Sequence, residues 1–108
     1  MSNRRISRER LDKYIGKYVL RENADYKWIV KLIDVVKSRN SIMVTQGMDI
    51  YPKPRAYHRN SSFNTIWEER PSTDSFFRLP TKEEMNLYRQ YSRELILLGT
   101  NNSIFGSK

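Results

Sequence analysis

The spacing of apolar positions changes several times along the chain, and each change marks an element. In residues 8–15, Leu11, Tyr14 and Ile15 fall on one side and Arg8, Arg10 and Lys13 on the other, which is helical spacing. The Ser7 hydroxyl suits the N-cap of this short helix, and Gly16 suits the left-handed position that ends it. From Lys17 the period shortens. Residues 17–21 read as a strand, Asn23-Ala24-Asp25 as a turn, and residues 26–37 as a long strand rich in β-branched and aromatic side chains. Trp28, Val30 and Leu32 share one face, but Ile33 and Val35 continue the apolar series one residue out of phase. Such a slip predicts a bulge or a sharp bend.

Ser38-Arg39-Asn40-Ser41 carries turn chemistry, and residues 42–45 read as a returning strand. Pro52 and Pro54 predict an irregular excursion or edge segment over residues 47–59. Asn60-Ser61-Ser62 is a turn, Phe63 to Glu69 a strand, Pro71 to Asp74 a break and Ser75 to Leu79 a short last strand. Thr81 and Glu84 then form a capping box. Leu87, Tyr88, Tyr91, Leu95 and Leu98 make an apolar stripe over about 82–98, and Gly99 is the expected stop. Trp28 and Trp67, flanked by alternating apolar residues, belong to the core. The expectation is an α+β fold: a small bent antiparallel sheet or barrel of 4–5 strands, a short N-terminal helix and a C-terminal amphipathic helix.

At 108 residues the chain suits one domain, with residues 1–7 as a basic flexible arm and 100–108 as a loose tail. No apolar run approaches the ~20 residues that span a bilayer, and no apolar stretch follows the basic N-terminus as a secretory signal requires. Neither is expected. The absence of cysteine excludes disulfides and thiolate zinc sites and fits a cytoplasmic protein.

Charge changes the picture most. The net charge is +8, from 20 basic and 12 acidic residues. Residues 1–21 carry seven basic groups against Glu9 and Asp12, a net of +5, and residues 51–70 add +2, while residues 22–50 are neutral. That asymmetry is the footprint of a phosphate-binding surface. Enzymatic chemistry finds little support: His58 is the one histidine, it has no partner at metal spacing, no phosphate-loop, dinucleotide or nucleophile-elbow motif is present, and the spacing of Asp49, Asp74 and the glutamates does not suggest a metal site. No catalytic residue, metal or cofactor is expected.

In Tyr51 to Asn60, cations alternate with rings between two prolines that restrain the backbone. Lys53, Arg55 and Arg59 can neutralise phosphates while Tyr57 and His58 stack on bases or sugars; alternatively Tyr51 and Tyr57 pack on the sheet and the cations face water. Arg4, Arg5, Arg8 and Arg10 would lie along a groove as a basic arm. The expected activity is non-enzymatic binding of nucleic acid, DNA ahead of RNA, through the duplex backbone and with low sequence specificity. The alternative is an inhibitor or adaptor that docks on an acidic host protein. No membrane partner is expected, and the helix stripe leaves a homodimer open.

The order of elements resembles SH3-like or Tudor-like barrels, on Tyr14 to Val19, Trp28 to Val35, Ile42-Met43-Val44 and Thr65 to Glu69. The junction Phe77 to Glu84 looks like that of small accessory proteins of tailed phages, and the likeness spans roughly residues 14–98. It implies a binding module made in the cytoplasm of an infected bacterium, acting in host takeover or against host defence. The chain departs from chromatin-type Tudor domains in having no assignable aromatic cage, so methyl-lysine binding is not carried over.

Overall fold

Alternation in the central strands drives apolar side chains to both faces, and the sheet they form is covered on both. The computed structural model describes residues 4–56 and 63–102, with Ala56 and residues 95–102 described by their backbone alone. The strands are β1 (Arg5–Ile6), β2 (Tyr18–Glu22), β3 (Lys27–Val36), β4 (Ser41–Tyr51), β5 (Arg55–Ala56), β6 (Trp67–Glu69) and β7 (Phe76–Arg78). A 3₁₀ helix (Arg8–Tyr14) follows β1, a short 3₁₀ turn (Lys37–Arg39) joins β3 to β4, and helix α1 (Lys82–Asn102) closes the described chain. The fold is a small α+β one, with seven strands among the described residues where the sequence predicts 4–5. The pairing is antiparallel, in the order β1-β7-β2-β3-β4-β5, and β6 also pairs with β4.

The predicted phase slip is real. Leu32 pairs with Val44 and Asp34 with Met43, so Ile33 is an extra residue that returns Val35 to the face of Trp28, Val30 and Leu32. A second irregularity lies in β4, where Gln46 and Gly47 intervene between Thr45, opposite Lys31, and Met48, opposite Ile29; Gln46 takes φ 55° there. These bends divide the core. On one face Val19, Val30, Leu32, Val44 and Phe77 pack with Leu11 of the 3₁₀ helix. On the other, Leu20, Ile29, Met48 and Ile50 meet Tyr88 of α1. Burying each large aliphatic side chain contributes about 1.5–3 kcal/mol before entropy is counted. Tyr88 also donates its hydroxyl to the Gln46 carbonyl, which fixes the helix to the β4 bulge, and burial pushes its phenol pKa upward.

Local signals fare unevenly. The capping box forms as expected: the Thr81 N–H donates to Glu84 Oε1 at 2.8 Å and the Glu84 N–H to Thr81 Oγ1 at 3.2 Å. Gly16 takes φ 89° just past the 3₁₀ helix, and Asn23 Oδ1 accepts from the Asp25 and Tyr26 N–H groups in the predicted turn. Ser7 makes no side-chain cap, because the tighter 3₁₀ winding begins there. The strand predicted to stop at Thr45 continues to Tyr51, since Met48 and Ile50 belong under α1; Arg55–Ala56 behaves as an edge segment, and residues 57–59 lie outside what is described. The strand expected over residues 63–69 is confined to Trp67–Glu69.

On α1 the core-facing side is Met85, Tyr88 and Tyr91, while Leu87 is exposed. Gly99 does not end the helix, which also takes in residues 100–102 of the expected loose tail. The side chains of Leu95 and Leu98, and residues 103–108, lie outside what is described.

Candidate nucleic-acid interface

Whether an arginine can meet a phosphate depends on what already holds its guanidinium. The expected basic arm is only partly an arm. Ile6 is buried, and Arg5 and Ile6 pair with Arg78 and Phe77 as the outermost strand of the sheet. The 3₁₀ helix then turns back, with the Arg10 N–H donating to the Ser7 carbonyl at 3.0 Å and Leu11 seated in the core. This fold-back gathers Arg4, Arg5 and Arg10 around one recess of about 350 Å³, closed by Ser7, Tyr14 and Leu79. Among the described residues no carboxylate lines it. Arg5 stacks its guanidinium on the Phe76 ring, 3.6 Å from the centroid, which orients it without neutralising it.

Arg8 is used differently. It donates to the carbonyls of Pro71 (3.1 Å), Ser72 and Ser75 (3.4 Å), and so ties the 3₁₀ helix to the loop before β7. The structure therefore separates Arg8 from the other three arginines.

The central basic segment begins at a cis Tyr51–Pro52 bond. Lys53 is exposed. Arg55 reaches back to Asp49, with Nε at 3.1 Å and Nη2 at 3.0 Å from Oδ2; its side chain stays 61% exposed while that of Asp49 is buried. Tyr57, His58 and Arg59 lie outside the described residues, as does the turn predicted at residues 60–62. Strand β5, which carries Arg55, and β1, which carries Arg5, are opposite ends of the pairing order. The two basic segments are thus separate features of one sheet.

A feature not read from the sequence lies between them in that order. Tyr26, Trp28 and Trp67 line a shallow cleft of about 530 Å³ together with Arg21, Asp49 and Arg55. Trp28 sits opposite Asp49 and Asp49 opposite Arg55, while Trp67 comes from β6 on the same edge of β4. Trp28 is buried and Trp67 half-buried against the core, as predicted, yet both also border the cleft. Alternation identified the inward face but not that this face opens to solvent at one end.

Charges in the cleft are paired internally. Arg21 bridges to Glu69, which also accepts from the Trp67 indole N–H at 2.9 Å. The Arg21 guanidinium lies 4.7 Å from the Trp28 ring and 5.7 Å from that of Phe77. Its Nε is buried without a hydrogen-bond acceptor, so these ring faces are its compensation.

Among the described residues no three of His, Asp and Glu converge as metal ligands, and no helix is long and apolar enough to cross a membrane. No family model, curated protein or solved structure matches the chain, and the functional reading rests on these side chains.

Proposed function

We propose that this is a non-enzymatic nucleic-acid-binding protein that engages duplex DNA through its phosphates with low sequence specificity. The observation that carries this is the recess where Arg4, Arg5 and Arg10 converge with no carboxylate among the described residues of its lining. Three cations at one concave site raise the local potential and attract a polyanion. Phosphate contacts position a duplex without reading its bases, and α1 is occupied in covering the sheet, with Glu83 and Glu84 in its first turn. The central segment of the sequence supplies two further basic residues, Lys53 and Arg59. The bulges in β3 and β4 and the two-faced core support an SH3-like bend of the sheet. If the resemblance to tailed-phage accessory proteins is followed, this role belongs to the cytoplasm of an infected bacterium, in host takeover or against host defence.

A gel-shift series with duplex DNA and duplex RNA at increasing salt tests the reading. The expected result is tighter binding to DNA and a linear fall of log affinity with log salt. No shift of either duplex at low salt overturns it.

A second groove favours the adaptor reading. Leu11, Val35 and Ile42 floor a cavity of about 520 Å³ rimmed by Arg8, Lys37 and Arg70 against one carboxylate among the described residues, Glu9. An acidic protein segment with one apolar anchor fits that chemistry. Capture of such a partner from nuclease-treated bacterial lysate, lost in Val35→Asp, would support this reading in place of the first.

A further inference from the structure

We infer that the recess lined by Arg4, Arg5 and Arg10 takes a terminal phosphomonoester, the phosphate at a strand end of duplex DNA, an inference that rests on the nucleic-acid reading above and names the phosphate this site holds. The nearby acids are all directed elsewhere. Arg4, Arg5 and Arg10 enter none of the ion pairs among the described residues. Glu9, next to Arg10 in sequence, lines the separate groove with Val35 and Ile42, and Asp12 meets Lys37 at 3.4 Å. Glu22 and Glu84 are committed to Arg78. Three guanidinium groups without a carboxylate partner therefore border one concavity.

Charge and shape select which phosphate fits. An internal phosphodiester carries one negative charge, and its chain leaves on both sides. A terminal phosphomonoester carries about −1.5 to −2 at pH 7 and three acceptor oxygens, and a single ester bond leads away from it. It can enter a concave site end-on. The recess, at about 350 Å³, lies at the small end of the ~300–1,000 Å³ of ligand pockets, which suits a phosphate and its first sugar rather than a run of backbone. Arg5 is already oriented by the Phe76 ring, 3.6 Å from its centroid, so less freedom is lost on binding. Ser7, whose side chain caps no helix, and half-buried Tyr14 line the same space and bring hydroxyl donors.

The experiment compares the full chain's affinity for short blunt duplexes of one sequence that carry either phosphate or hydroxyl on their strand ends. The phosphorylated duplex should bind about tenfold tighter at low salt, the scale of one charge-assisted hydrogen bond set at an exposed site. The double variant Arg4→Ala with Arg10→Ala spares the Arg5 stack and should bring that ratio close to one, with a thermal midpoint within a few degrees of the parent's. Inorganic phosphate has the charge without the strand, so it should displace the phosphorylated duplex only at concentrations far above the duplex's Kd. Displacement at comparable concentrations assigns the recess to the free anion and overturns the inference. Equal affinity for the two duplexes also overturns it and leaves backbone binding standing. A preference that persists in the folded double variant overturns the recess as its source. No binding of either duplex at low salt removes this inference and the function it rests on together.

Discussion

Arg78 and Arg4 carry the same formal charge and sit at opposite extremes of use. Arg78 is buried where β2, β7 and α1 meet, and its guanidinium is shared between two carboxylates. Nε donates to Glu22 at 2.7 Å, and Nη1 and Nη2 donate to Glu84 at 2.8 Å each. Arg4, Arg5 and Arg10 are exposed around a recess with no acid among its described lining residues. A net charge of +8 counts both kinds equally. What reaches a polyanion is the unpaired kind, so the location of carboxylates decides the interface as much as that of the arginines.

The sharpest way to break this comparison is Arg78→Leu. Removing one member of a buried network leaves its partners uncompensated, here Glu22 and Glu84, at a cost of about 3–5 kcal/mol. In a domain this small, about 1 kcal/mol moves Tm by roughly 4–8 °C. Thermal unfolding followed by circular dichroism should therefore show a large fall, and a shift no larger than that of a surface substitution would contradict the assigned role.

Next in size is the triple substitution Arg4→Ala, Arg5→Ala and Arg10→Ala. Each lost phosphate contact lowers the slope of log affinity against log salt by about 1, so the triple variant should lose about 3. Its unfolding midpoint should fall only by the few degrees that loss of the Arg5–Phe76 stack accounts for, since no ion pair among the described residues is removed. An unchanged salt slope would exclude the recess as a phosphate site.

Acid probes the paired class without mutation. Burial works to raise the Glu84 pKa, but hydrogen bonds from Arg78 and Thr81 outweigh it and bring it down to about 2, from an ordinary 4.5. The pKa is depressed by folding, so the stabilisation is fully present above the unfolded value and lost as pH falls from 4.5 towards 2. Tm should drop across that window in the parent and less steeply in Glu84→Gln. Equal slopes would mean that Glu84 does not carry the effect.

Much of the scaffold was legible because its signals are local. The Thr81–Glu84 box, Gly16 beyond the 3₁₀ helix and the phase slip at Ile33 each need only a few neighbouring residues. What escaped depends on distant partners. Arg5–Ile6 becomes a strand only because Phe77–Arg78 offers an edge. Residues 46–51 stay in β4 because α1 needs Met48 and Ile50 beneath Tyr88, which overrides the reading from Gly47 and Pro52. The aromatic cleft escaped for the same reason: Tyr26 and Trp67 are 41 positions apart in sequence and meet only through pairing across β3, β4 and β6.

Arg8 tests the comparison at its boundary, because its sequence neighbours are the unpaired arginines while its contacts are those of the paired class. Its donors satisfy the carbonyls of Pro71, Ser72 and Ser75. Hydrogen bonds from a charged donor contribute about 1.5–3 kcal/mol at buried sites, and this side chain's exposure reduces that to about 1 kcal/mol. Arg8→Ala should thus lower Tm by a few degrees, consistent with that cost, and leave the salt slope of DNA binding close to the parent's. If the slope instead falls by about 1 with Tm unchanged, Arg8 belongs with Arg4, Arg5 and Arg10. Position in the sequence would then predict availability better than the contacts do.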